Sequence, residues 1–260
     1  MERLKIYAID GALLGFFMLS ACVSVVVLEY PASPVHAAVT SSFARRALVG
    51  LAMGVTAACL IYSPWGKRSG AFMNPAVVLC HARLGKLSVR DVLGYVGAQL
   101  LGSASGVLLA VTLMPGLVSD PSVNYVVTTP NGGATTAFAA EFTLSFLMLS
   151  TVTTLNRSAR LAPYTGMAAA VLVALFIAVE APLSGMSINP ARSFGSALWA
   201  RLWSGFWIYL TAPVLGMLAG VELQRWLSAR HDSVCGKLTH DETIECFVRC
   251  HCLKGSKAVP

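Results

Sequence analysis

SGAFMNPAV at residues 69–77 and SGMSINPAR at residues 184–192 write Ser-Gly-x-x-x-Asn-Pro-Ala twice in one chain. Asn is a preferred helix N-cap, because its side-chain oxygen accepts a hydrogen bond from a free backbone N–H of the first turn. Pro at the next position is pre-set for the first helical residue and has no N–H to leave unsatisfied. Asn74-Pro75-Ala76 and Asn189-Pro190-Ala191 therefore read as two helix starts. A single copy would be an ordinary start in an ordinary bundle. Two copies with matched Ser-Gly lead-ins call for a common cause in what surrounds them.

What surrounds them is apolar. The 260 residues are 56% hydrophobic and 12% charged, with mean hydropathy +0.68; a soluble domain carries about 25% charged residues. Apolar runs near 6–28, 44–62, 89–113, 136–155, 163–180 and 203–227 approach the length that crosses a bilayer, about 20 residues. The first is too long for the core of a typical signal peptide and is followed by similar runs, so it reads as a span. Two shorter stretches, 75–83 and 190–199, follow the Asn-Pro-Ala sites at about half the spanning length. The expected class is an all-α membrane protein with six transmembrane helices and two half-helices. The basic residues Arg3, Lys5, Lys67, Arg68, Arg83, Lys86, Arg90, Arg157, Arg160 and Arg225 share one side, as do those of the C-terminal tail, whereas loops 29–43 and 114–135 hold no Lys or Arg. By the positive-inside rule both termini are cytoplasmic. The net charge of +7 is mostly this topology signal, and no nucleic-acid partner is expected.

Each half of the chain has three spans and places its Asn-Pro-Ala between the second and third. Three spans separate the copies, an odd number, so the second half is inverted relative to the first. Repeat one covers about 1–120 and repeat two about 130–228, together one domain over 1–228, followed by a tail at 229–260. Inverted repeats place their sites near the bilayer midplane, here around a central pore. Capping occupies each Asn oxygen and leaves an NH₂ as donor. Asn74 and Asn189 would thus face the centre, backed by the positive ends of two half-helix dipoles. That suits a small neutral acceptor such as water and opposes cations and protons.

These residues, with Arg192-Ser193-Phe194-Gly195 and the early acids Asp10 and Glu141, resemble the major intrinsic protein family of aquaporins and glycerol facilitators over about residues 1–228. The resemblance implies six tilted helices and two half-helices around a pore, one pore per subunit of a homotetramer. It implies that Asp10 and Glu141 brace the loops carrying the motifs, and that Arg192 belongs to a constriction outside the Asn pair. Its other members fall on Met186, Ile177 and Met53, or on Gly54 if the loop before the first motif carries no extra residue; Met53 is preferred. The chain departs from the family in three places. Asp10 stands where Glu is usual and is expected to brace less directly or through a water. Phe72 stands where many members have His, with His81 a few residues on. The Met–Ile–Met constriction lacks the usual aromatic and His, so it is more apolar than a strict water filter. Ser193 is water-type, whereas APLSG at 181–185 leans to the glycerol type.

The expected function is a passive channel for water, open to small neutral solutes and closed to protons and ions. A glycerol facilitator is the alternative, and a secondary transporter the less favoured one, since Asp10, Glu141 and Glu180 are the only acids available for an ion site. No catalytic pairing of residues occurs, so no enzyme is expected. No cofactor is expected either. In the tail, Cys235, His240, Cys246, Cys250, His251 and Cys252 are residue types of a Cys/His site, yet their spacing matches no zinc motif and no metal is expected. Short loops and the lack of a eukaryotic targeting tail lean towards a prokaryotic inner membrane.

Overall fold

The computed structural model describes residues 2–158 and 160–227. The tail residues Cys235, His240, Cys246 and Cys250 lie outside the described residues. Ten α-helices follow in order: α1 (Glu2–Glu29), α2 (Pro34–Ala38), α3 (Ser42–Tyr62), α4 (Pro64–Ser69), α5 (Pro75–Arg83), α6 (Val89–Leu113), α7 (Ala134–Leu155), α8 (Thr165–Ser184), α9 (Pro190–Ala200) and α10 (Phe206–Leu227). Helices α1, α3, α6, α7, α8 and α10 are long and apolar enough to cross a membrane. Helices α5 and α9, of 9 and 11 residues, begin at Pro75 and Pro190, where the two motifs place them. Helix α8 runs on to Ser184, past the expected end near 180; it accommodates Pro182 in its last turn and is closed by Gly185 in a left-handed conformation (φ 81°).

The inverted repeat shows in the packing. Helix α1 packs along α6 in the first half as α7 packs along α10 in the second. Helix α3 crosses α8 between the halves, while each half-helix docks on the other repeat, α5 against α10 and α9 against α6. In lipid, small residues let helices approach closely. At the α1–α6 crossing glycine stands on both sides: a Cβ on Gly102 would collide with the Gly11 carbonyl, and one on Gly106 with that of Gly15. At the corresponding α7–α10 crossing only one side is glycine, Gly216 lying over the carbonyl of Phe142.

The outer surface is apolar, with Leu51 and Val55 on α3, Leu93 and Leu101 on α6, and Val171, Leu175 and Val179 on α8 all exposed. Trp203 and Trp207 are exposed at one end of the bundle and Trp65 and Trp226 at the other, the positions of interfacial aromatic belts. A soluble protein would bury such a belt. This one presents it to lipid.

Candidate pore and its constriction

Both loops that precede the half-helices adopt left-handed backbone conformations at matched positions: Gly70 (φ 96°), Ala71 (52°) and Met73 (46°) in one, Gly185 (81°), Met186 (47°) and Ile188 (47°) in the other. Such angles are unfavourable for residues with a Cβ, so the loops need external partners. Two buried carboxylates supply them. Asp10 Oδ1 accepts from the Ser69 hydroxyl and the Phe72 N–H, both at 3.0 Å, and Oδ2 accepts from the Met73 N–H at 2.9 Å. Glu141 Oε1 accepts from the Ser184 hydroxyl (2.6 Å) and the Ser187 N–H (2.7 Å), and Oε2 from the Ile188 N–H (2.6 Å). The shorter Asp10 thus reaches its loop directly, without a water. Glycine on both sides lets α1 and α6 approach closely, and Gln99 Nε2 of α6 donates to Asp10 Oδ2 at 2.8 Å as a fourth bond.

Two further pairs complete the symmetry. Ser69 Oγ accepts from the Ala71 N–H and Ser184 Oγ from the Met186 N–H. Tyr95 donates to the Ser69 carbonyl at 2.6 Å and Tyr209 to the Ser184 carbonyl at 2.7 Å. Sequence reasoning missed these tyrosines and Gln99. The signal for the tyrosines was present, as they follow their serines at near-equal spacings of 26 and 25 residues.

The motif asparagines cap as expected: Asn74 Oδ1 accepts from Ala76 N–H (2.9 Å), and Asn189 Oδ1 from the N–H groups of Ala191 (3.1 Å) and Arg192 (3.2 Å). Their amides do more than face the centre. Asn74 Nδ2 donates to the carbonyl of Ile188 and Asn189 Nδ2 to the carbonyl of Met73, each at 2.7 Å. Each amide carries two hydrogens, so a second N–H of each remains for the cavity that both residues line.

That cavity, of about 420 Å³, lies between the repeats. Arg46, Val49, Met53, Ala57 and Ile61 of α3 line it, a depth of about 22 Å at the helical rise. Met53, Ile177, Met186 and Arg192 all line it as well, and the structure brings all four to one cavity. Gly54 does not: a Cβ there would meet the Ala170 carbonyl of α8, so it belongs to the α3–α8 crossing. Arg192 is held by Nη1 donating to the Val126 carbonyl at 2.8 Å. Val126 ends a short left-handed run through Asn124 (φ 42°), Tyr125 (53°) and Val126 (50°), inside the 114–135 linker. Nearby, Asp120 accepts from the N–H (2.9 Å) and hydroxyl (2.6 Å) of the lining residue Ser122, and these bonds hold its carboxyl below the usual range.

Phe72 lines the cavity and stacks against His81 at 4.7 Å, whereas His81 is buried, bonds the Val77 carbonyl through Nδ1, and stands outside the lining. Ser193 is fully buried, tied to Thr128 (2.8 Å) and Ser187 (2.6 Å), so it meets the loops and not the lumen. Glu180 is buried beside the Ser184 hydroxyl, which donates to Glu141, and among the described residues neither Glu180 carboxyl oxygen has a partner at hydrogen-bond geometry.

Residues 9–223 match the major intrinsic protein family. The chain belongs to that family. Aquaporin NIP3-1 of Arabidopsis thaliana is 34% identical over 218 residues, which cover 81% of this chain and 64% of that one. Nodulin-26 of Glycine max is 35% identical over 177 residues, 66% of this chain and 62% of that one. In both, the match spans less than two thirds of the curated relative. The aquaglyceroporin of Plasmodium falciparum shares the fold, with a TM-score of 0.65 at 21% identity over 84% of this chain and 94% of that one. The plant relatives overturn the expectation of a prokaryotic inner membrane. Short loops follow from helices packed in a bilayer, and bilayer physics is common to both kinds of host. The multi-pass membrane assignment stands.

Proposed function

We propose that this member of the family is a passive transmembrane channel for water that also admits small neutral solutes and excludes protons and ions. The observation that carries this reading is the reciprocal Asn–carbonyl junction, lying on the same cavity as Arg192. Two helix N-termini and a guanidinium on one narrow path oppose any cation. Most of the remaining lining is apolar, so a neutral solute meets a few donors and little else to hold it. Asp10 and Glu141 act as braces, keeping the motif loops in the strained shape that lines the path. Met53, Ile177, Met186 and Arg192 set its selectivity. The channel works in a bilayer as a homotetramer with one pore per chain, and both termini face the cytoplasm.

A glycerol facilitator is the second reading, favoured by one observation: three of the four constriction side chains are apolar. Stopped-flow light scattering on proteoliposomes separates the two. Fast shrinkage in an impermeant osmolyte with no glycerol re-swelling means a water filter, whereas rapid re-swelling means a glycerol facilitator. Water flux no faster than in protein-free liposomes rejects both.

A further inference from the structure

Arg45 and Arg46 are neighbours in the chain but are used differently. Arg45 ties the outer end together: Nε donates to Glu29 Oε2 (3.0 Å), and Nη1 to the carbonyls of Val39 (2.9 Å) and Thr40 (3.0 Å). Arg46 makes no hydrogen bond or ion pair among the described residues, and its Nε is buried without an acceptor. Its guanidinium carbon lies 5.9 Å from the centre of the Phe43 ring. Yet Arg46 lines the cavity, on the same α3 stripe as Met53 and two turns further out, about 10 Å at the helical rise. Arg192 lines that cavity below it. The carboxylates at this end are otherwise engaged: Glu29, which also lines the cavity, is paired with Arg45, and Asp120 at the solvent rim bonds Ser122.

We propose that the outer mouth is a binding site for small planar oxyanions of the nitrate or formate type, centred on Arg46 with Arg192 beneath it. A guanidinium offers forked N–H donors that match two oxygens of such an anion side by side. A buried N–H without an acceptor is costly, and an anion oxygen would satisfy it. Helix α3 positions Arg46 by the same periodicity that aims Met53 at the lumen, so an anion held there stands in the path of permeants. Its occupancy lowers water flux. The flux readout rests on the channel reading, but binding itself does not.

The test uses the full chain in proteoliposomes, with sodium gluconate replaced stepwise by sodium nitrate on both sides at fixed osmolarity and ionic strength. Water permeability of the wild type, followed by stopped-flow scattering, is expected to fall saturably with nitrate. Arg46→Gln should need about tenfold more nitrate for the same block, the loss of one charged hydrogen-bonding pair, and Arg46→Lys should fall between. Equal permeability in nitrate and gluconate, or wild-type block in both variants, would overturn the proposal. A second measurement reads binding without flux: nitrate should raise the unfolding midpoint of the purified wild type and leave that of Arg46→Gln unchanged. If the liposomes carry no water flux, the channel reading fails, and this midpoint shift still decides the anion site. Its absence in the wild type would sink it.

Discussion

The side-chain amide of Asn74 donates to the backbone carbonyl of Ile188 at 2.7 Å, the residue that immediately precedes the other motif asparagine. Asn189 returns the bond to Met73 at the same distance. Each asparagine therefore caps its own half-helix through Oδ1 and locks the opposite loop through Nδ2, so the two repeats are coupled where their half-helices begin.

Asn189→Asp keeps the capping oxygen and replaces the donor to Met73 with a second, charged oxygen facing a carbonyl. Destabilisation of about 1–3 kcal/mol is expected, the cost of a buried acceptor left unpaired, together with a rise in cation leak. Thermal unfolding and ion conductance in reconstituted bilayers check both. A variant with wild-type stability would show that the cross-loop bond contributes little.

Asp10→Glu restores the acid usual in the family, yet it should destabilise. Asp10 already accepts four bonds in a fully buried site between close-packed α1 and α6. An added methylene costs about 1–3 kcal/mol by overpacking. A rise in the unfolding midpoint would mean that the two-sided glycine contact does not compensate for the shorter side chain.

Glu180→Met removes a buried carboxyl that makes no hydrogen bond among the described residues and keeps similar volume. Its unfolding midpoint should rise, since an unpaired buried polar group costs about 1–3 kcal/mol on mutational scales. A lower midpoint would indicate that the carboxyl has a partner in the assembled protein.

Ile177→His places a donor in the cavity that Arg192 also lines, at a position proposed to set selectivity. The ratio of glycerol to water permeability should drop several-fold, because the apolar surface that suits a carbon backbone is lost and a donor that favours water is gained. Paired stopped-flow runs give that ratio directly, and an unchanged value would remove Ile177 from the selectivity-determining set.

Arg192→Ala deletes the guanidinium held by the Val126 carbonyl. Proton and cation leak should increase, and loss of the donor to the buried Val126 carbonyl should destabilise by about 1–3 kcal/mol. If a well-folded variant leaks no more than the wild type, the electrostatic account of exclusion at the constriction fails.

The linear pattern alone determined the six spans, the inverted halves and the two helix starts. Each depends on local physics: apolar length against bilayer thickness, an odd number of crossings between copies, and the N-cap chemistry of Asn followed by Pro. The partners of the motifs depend on contacts between residues far apart in the chain. Tertiary structure decided that Met53 lines the cavity while Gly54 packs against α8, because one residue along a helix turns a side chain by about 100°. It decided that Ser193 faces the loops, that Gln99 completes the bonds to Asp10, and that Val126, deep in a loop without periodicity, holds Arg192. Loop carbonyls carry no side-chain signature, so their choice of donor is settled only when packed helices bring strained backbone and buried polar groups within reach.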